Sequence, residues 1–387
     1  MIGPAVFGAS AEPRYSRSRS LRTGAGNEVY QGIQEAYLDP VRLGVIGCGV
    51  IGSQHIQASL DHDSVDVVAI ADLREHVAND IAARHGIPKV YTEGTDLLLD
   101  DAIEGVVLAM PACVRKDLAL KAFERGIHVL VEKPVGMNAD EVRELIAARG
   151  ELIAGCCCSR FRFPPSANAV TDFIASGVLG DLRVIHCRAL RAGGPPPVKS
   201  PPIWRLRRDL NGGGIMSNWG CYDLDYLLGI TGWSLKPRLV LGQMWGVPRK
   251  FHALADPSSD AETHLAATIQ CEGGVAIHYE RGEMVASSPR LSWQVVGTDG
   301  SLDLEMVKAD KKIEYHKAVS EEGVVTETLW EGSDDMSAIH FGPITDFAAA
   351  IREGRQPKTS LERALVVQQI TDAIYASAES GKAAEIQ

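Results

Sequence analysis

Val41-Arg42-Leu43-Gly44-Val45-Ile46-Gly47-Cys48-Gly49-Val50-Ile51-Gly52 is the stretch on which the fold turns. Val41 to Ile46 is a short apolar run with the composition of a buried strand. Gly47-x-Gly49-x-x-Gly52 closes it, and a helical stretch runs from Ile51 to about Leu60. Strand, glycine turn and helix in that order make the cradle of a dinucleotide pyrophosphate. Gly47 permits the tight turn, Gly49 lets the backbone approach the phosphates, and Gly52 lets helix and strand pack closely. Cys48, Val50 and Ile51 complete the loop, whose helix N-terminus offers unpaired amides to the phosphates. Asp72, about 20 residues beyond Gly52, ends the second apolar run and is placed for the adenosine ribose hydroxyls. Leu73 follows it on the same rim.

Working outward, apolar runs at 65–71, 89–91, 105–110, 127–131 and 152–158 alternate with helical stretches at 74–85, 115–125 and 140–149. Strands separated by helices of this length imply right-handed βαβ units and a doubly wound parallel sheet over residues 41–159. Ligands of such sheets bind beyond the strand carboxyl ends. Met110, Pro111, Glu132 and Lys133 lie at such ends and are expected to line the cofactor. Glu132-Lys133-Pro134 also places an ammonium on the cofactor side. A nicotinamide cation and partial burial there would lower the lysine pKa and suit it to proton transfer.

Residues 160–387 read differently. Strand-like stretches at 183–191, 238–245, 263–270, 274–281, 291–297, 301–305 and 312–316 have few helices between them, and amphipathic helices follow at 341–353 and 361–380. The expectation is an α/β domain with a large, mostly antiparallel open sheet. Gly212-Gly213-Gly214 opens a helix over about 213–228 in which Asn218, Tyr222 and Asp225 fall at i, i+4 and i+7 and share a face. That face would present an amide, a phenol and a carboxylate to a polyhydroxylated substrate. Residues 1–40, rich in Ser, Arg, Gly and Ala, read as a disordered tail or an arm that wraps a neighbouring subunit.

The formal net charge of −11 argues against non-specific nucleic-acid binding. No apolar run reaches the roughly 18 residues of a membrane span. No secretory signal opens the chain, which leads to the expectation of a cytoplasmic protein. The eight cysteines fit neither a disulfide framework nor zinc spacing, and they read as buried thiols with no metal site.

Together these segments resemble the glucose–fructose oxidoreductase / inositol dehydrogenase (Gfo/Idh/MocA) family. The resemblance rests on the glycine motif, Met110-Pro111, the run Ala119 to Pro134 that ends in Glu132-Lys133-Pro134, Gly212-Gly213-Gly214 with Trp219-Gly220 and Asp225, and Ala350 to Pro357. It implies a Rossmann domain followed by an α/β domain whose open sheet mediates homodimers or homotetramers. The family's catalytic lysine maps onto Lys133. The Asp-x-x-x-His pair of many members is here Asn218 and Tyr222, and a further family histidine is Arg115.

The resulting expectation is an NAD-dependent oxidoreductase acting on a secondary alcohol or ketone of a sugar or polyol, with NADP the lesser candidate because Asp72 would repel a 2′-phosphate. Arg74, just beyond, is the counter-evidence. Tyr222 takes the hydroxyl proton and Lys133 lowers the phenol pKa or shuttles the proton itself. Asn218 and Asp225 position hydroxyls, and Arg162 and Arg205 bind an anionic substituent or form ion pairs. Three alternatives are a hydrolase or lyase using NAD for transient oxidation, a non-catalytic NAD-binding regulator, and a ping-pong oxidoreductase with tightly bound cofactor.

Overall fold

The computed structural model describes residues 39–195, 202–336 and 339–387. The expected N-terminal arm lies outside the described residues except for Asp39 and Pro40, whose carbonyls accept hydrogen bonds from Arg352. Part of the proline-rich loop near residue 200 also lies outside them.

The first half is β1 (Val41–Ile46), α1 (Val50–Leu60), β2 (Val65–Ala71), α2 (Glu75–His85), β3 (Lys89–Tyr91), α3 (Gly94–Leu97), β4 (Gly105–Leu108), α4 (Arg115–Glu124), β5 (His128–Val131), α5 (Ala139–Arg149) and β6 (Ala154–Cys156). The six strands pair in parallel in the order β3-β2-β1-β4-β5-β6. The order reverses between β1 and β4, so their carboxyl ends open the crevice in which such sheets bind ligands. Near-continuous apolar strands suit a sheet covered on both faces; Leu43, Val45, Val106, Val107 and Leu108 are all fully buried.

The second half contains α6 (Pro165–Ala175), β7 (Leu182–Ala192), the short α7 (Arg208–Asn211), α8 (Cys221–Ile230), β8 (Pro237–Trp245), β9 (His264–Cys271), β10 (Ala276–Val285), β11 (Arg290–Gly297), β12 (Gly300–Leu304), β13 (Asp310–Val319), β14 (Gly323–Ser333), α9 (Phe341–Glu353), α10 (Leu361–Ser380) and β15 (Ala384–Glu385). Its nine strands run β14-β13-β12-β11-β7-β10-β9-β8-β15. All neighbours are antiparallel except β7 and β10, which run parallel at the centre. The fold class expected from the sequence is the one observed. The edge strand β14 was not expected, because it pairs only with β13 and its residues are mostly exposed, so no apolar alternation marks it.

Two features correct the expected helix over 213–228. Residues 216–220 form a π-helical turn, and α8 begins only at Cys221. Asn218 and Tyr222 both reach Lys133 across this turn, while Asp225 is taken up by Arg162 and Thr359. Asp223 and Asp225, both fully buried, pin α8 from different sides. Asp223 accepts from the Tyr279 hydroxyl (2.9 Å), the Trp293 indole (3.1 Å) and Arg281 (3.2 Å) on the nine-stranded sheet. Asp225 accepts from Arg162 (2.6 Å) and Thr359 (2.6 Å), beside the six-stranded sheet.

Asp223→Ala leaves Arg281 buried without its counter-charge. It should lower unfolding free energy by about 3–5 kcal/mol, measured by equilibrium denaturant titration.

Candidate active site

The glycine turn is built as the sequence implies. Gly47 has φ +94°, and a Cβ there would lie 2.8 Å from the Ala109 carbonyl oxygen. A Cβ on Gly52 would fall 1.8 Å from the Gly47 carbonyl oxygen, so only glycine lets α1 approach β1 this closely. Above Gly49 nothing lies within 4 Å of a built Cβ, which leaves that approach open. The first hydrogen bond of α1 runs from the Ser53 amide to the Gly49 carbonyl (2.9 Å). The amides of Val50, Ile51 and Gly52 precede it and have no intrahelical partner. No acidic residue stands in this first turn to oppose an anion. Val50 and Leu73 flank the turn with 79% and 78% of their surface exposed, an unusual position for two apolar residues unless a ligand covers them.

Asp72 joins this rim. Its carboxylate accepts the Cys48 amide (2.8 Å) and both the amide and the guanidinium of Arg74 (2.9–3.2 Å). Burial opposes its charge, but the hydrogen bonds from Arg74 and Cys48 outweigh it, and the carboxyl sits below its ordinary pKa. The Cys48 thiol is pushed up to about 12 by burial and by Asp72, so it is a neutral part of the wall. Taken together, open amides, a glycine cradle and a carboxylate at the end of β2 fit a dinucleotide.

At the ends of β4 and β5 the chain is tied by Arg115, which is buried. It donates to the carbonyls of Met110 (2.6 Å), Glu132 (2.8 Å) and Pro134. This side chain stands at the position of the family histidine and holds both strand-end loops. Lys133, whose bond to Pro134 is cis, is half-buried and donates to the Asn218 carbonyl and side-chain oxygens, both at 3.0 Å. Its Nζ lies 5.1 Å from the centre of the Tyr222 ring. Burial draws the Lys133 pKa down, with Arg160 and Arg115 adding to the effect and Cys221 and Glu132 opposing it. Burial also holds the Tyr222 phenol well above its usual range, with Arg160 the largest opposing influence.

The structure therefore brings Lys133, Asn218 and Tyr222 together and leaves three expected substrate contacts elsewhere. Asp225 and Arg162 are bonded to each other, and Arg162 also donates to the Lys358 carbonyl (2.8 Å) and Thr359 (2.7 Å). Arg205 is paired with Glu283. Each of these charges is met within the protein, so they serve as interior ties rather than open contacts. The idea that Lys133 lowers the phenol pKa also changes: its ammonium faces the Tyr222 ring and is bonded to Asn218.

Glu132, expected to line the cofactor, is a buried hub that accepts from His55 (2.8 Å), Arg160 (2.7 Å) and the Lys133 amide (3.0 Å), a set of partners the sequence did not reveal. Other site residues, His55, Arg160 and Trp219, were missed. His55, Glu132 and Cys157 bring three metal-capable atoms within 4.8 Å of one another, but Arg160 already occupies the carboxylate. Trp219 sits 5.5 Å from Tyr222, ring centre to ring centre, with the guanidiniums of Arg191 and Arg281 at 4.7 and 4.6 Å. Arg160 had a usable signal, since it follows the sixth strand on the ligand side, two residues before Arg162.

Residues 41–153 match the family described as "Oxidoreductase family, NAD-binding Rossmann fold", and residues 168–303 match the "GFO/IDH/MocA C-terminal domain". The chain belongs to the GFO/IDH/MocA oxidoreductase family. Among its relatives is the D-xylose 1-dehydrogenase (NADP(+)) 2 of Haloferax volcanii, 27% identical over 89% of this chain and 99% of that one. Another is the 1,5-anhydro-D-fructose reductase of Ensifer adhaerens, 24% identical over 89% of this chain and 98% of that one. Of the solved structures, levoglucosan dehydrogenase in complex with NADH and L-sorbose superposes with a TM-score of 0.77, at 18% identity, over 90% of this chain and 100% of that chain. Among the described residues no helix is long and apolar enough to cross a membrane.

Gly52→Ala overpacks the cradle by about 1–3 kcal/mol. Dinucleotide affinity should fall roughly ten- to a hundredfold by calorimetric titration.

Proposed function

We propose that this protein is an NAD-dependent oxidoreductase that interconverts a secondary alcohol and a ketone on a sugar or polyol. The observation that carries the reading is the meeting of Lys133, Asn218 and Tyr222 at the carboxyl ends of the parallel strands, on the ligand side of the glycine turn. Gly47 to Gly52, Asp72, Leu73, Met110 and Pro111 would hold the cofactor, and its nicotinamide would supply the acceptor or donor of hydride. The chain's own part is the proton. In the oxidation direction Lys133, as the neutral amine, accepts the proton of the substrate hydroxyl; Tyr222, as the neutral phenol, donates a hydrogen bond to the same oxygen. Its hydroxyl has no partner among the described residues and is free to do so. Asn218 fixes the lysine in place. Of the two proton routes open at the sequence level, the lowered Lys133 pKa and the raised Tyr222 pKa favour the lysine.

The sugar class is supported by the named activities of the full-length relatives. The preference for NAD rests on Asp72 at the ribose rim. The division at about residue 159 into a cofactor domain and a substrate domain is part of the same proposal. So is a cytoplasmic homodimer or homotetramer, for which Leu241 and Trp245, 57% and 46% exposed on the open face of the nine-stranded sheet, are the supporting feature.

Lys133→Ala and Tyr222→Phe should each lower turnover at least ~100-fold with dinucleotide binding retained; a screen of sugars and polyols followed by NADH absorbance measures this, and near-normal turnover would sink the assignment. Because only the amine form of Lys133 accepts a proton, the oxidation rate should rise with pH, and its limb should lie below the ordinary lysine pKa. Asp72→Ala should move the kcat/KM ratio toward NADP by about tenfold, equal to about 1.4 kcal/mol, in parallel assays with both cofactors.

A further inference from the structure

Behind Lys133 and Tyr222 lies a buried ion pair with no part in the proton transfer described above. Arg160, in the turn after β6, is 5% exposed and donates to Glu132 at 2.7 Å. Its guanidinium carbon lies 4.7 Å from the centre of the Tyr222 ring, the same ring that Lys133 faces at 5.1 Å. Glu132 is itself fixed by His55 and by the Lys133 amide. The Arg160 Nε has no hydrogen-bond partner among the described residues, so Glu132 alone holds this guanidinium by hydrogen bonding.

The charged and titratable groups around Lys133 and Tyr222 are Arg160 and Cys158 from the turn after β6, Glu132 from the end of β5, Arg115 from the start of α4, Cys221 on α8, His55 on α1 against Glu132, and His340 just before α9. Two guanidiniums and an ammonium thus face a single carboxylate. A cation within a few ångströms disfavours a second cation, and an anion favours it. Arg160 and Glu132 therefore act on Lys133 with opposite sign, although they are bonded to each other.

We propose that Arg160 is a positioning residue for proton transfer: held on Glu132, its guanidinium favours the neutral amine of Lys133. The proposal rests on the reading that Lys133 accepts the substrate proton. Its signature is a pair of opposed shifts. Arg160→Met should move the acid limb of the kcat/KM pH profile upward by about one pH unit, and Glu132→Gln should move it downward by a similar amount. The glutamine keeps the shape of the side chain and one acceptor oxygen, which can serve either the His55 and Arg160 side or the Lys133 amide. Arg160→Lys keeps the charge, so its limb should stay with that of the unaltered protein; it also serves as the variant to measure if Arg160→Met does not fold.

Tyr222 feels the same field and gives a readout free of turnover. Its phenolate absorbance, taken as the difference between each protein and its Tyr222→Phe counterpart, should titrate higher in Arg160→Met and lower in Glu132→Gln. Limbs that stay in place while rates fall at every pH would mark a merely structural role and overturn the proposal. A phenol that titrates alike in all three proteins would overturn it too. A shifted phenol in a protein that oxidises no sugar would uphold the field of Arg160 and overturn the substrate reading instead.

Discussion

Two carboxylates on one helix fix the geometry on which the rest depends. Asp223 and Asp225 are both withdrawn from water on α8, and each is met by donors from a different part of the molecule. Taking such charges out of solvent costs several kcal/mol per ion unless partners surround them. Tyr279, Arg281 and Trp293 do this for Asp223, and Arg162 and Thr359 for Asp225. Thr359 in turn gives its carbonyl to the Cys156 amide on β6. The helix is thereby tied to both sheets at once. Tyr222, one residue before Asp223, inherits its position from that double attachment.

The same logic governs the lysine. Lys133 sits in a loop whose carbonyls are gathered by Arg115 and whose amide is held by Glu132. Its ammonium reaches across to Asn218, 85 residues further on. An aspartate at that position would bring a formal negative charge to the amine and stabilise its protonated form. The amide offers the same oxygen geometry without the charge. An amide at position 218 therefore suits the role proposed for Lys133, and the arginines around Glu132 act in the same direction.

The placing of the glycine turn, Asp72 and Lys133 was legible because it depends on backbone shape or on the end of a strand, and both are local properties of the sequence. The six parallel strands were legible for the same reason, as apolar runs between helices of regular length. What escaped were relations between distant residues. Nothing in the sequence near Arg162 says that its partner is Asp225, 63 residues away. The π-turn at 216–220 also left no mark in the apolar spacing of the sequence. Glu132 read as a cofactor-lining residue because its neighbours His55 and Arg160 arrive from α1 and from beyond β6. The strand β14 escaped for a different reason: at an edge open to solvent, packing imposes no pattern on the sequence.

One more feature follows from α9. This helix comes after all but one strand in the chain, yet Phe347 is fully buried against the first sheet, beside Leu43 and over Gly105, where the lack of a side chain leaves it room. Leu43 and Val41, in the first described strand, are thus covered by a helix that follows β14 in the chain. Until α9 is in place, the first sheet carries an uncovered apolar groove. These long-range contacts raise the loop-closure cost of folding. An enzyme cut short before residue 341 would lose the cover over its nucleotide sheet along with its tail.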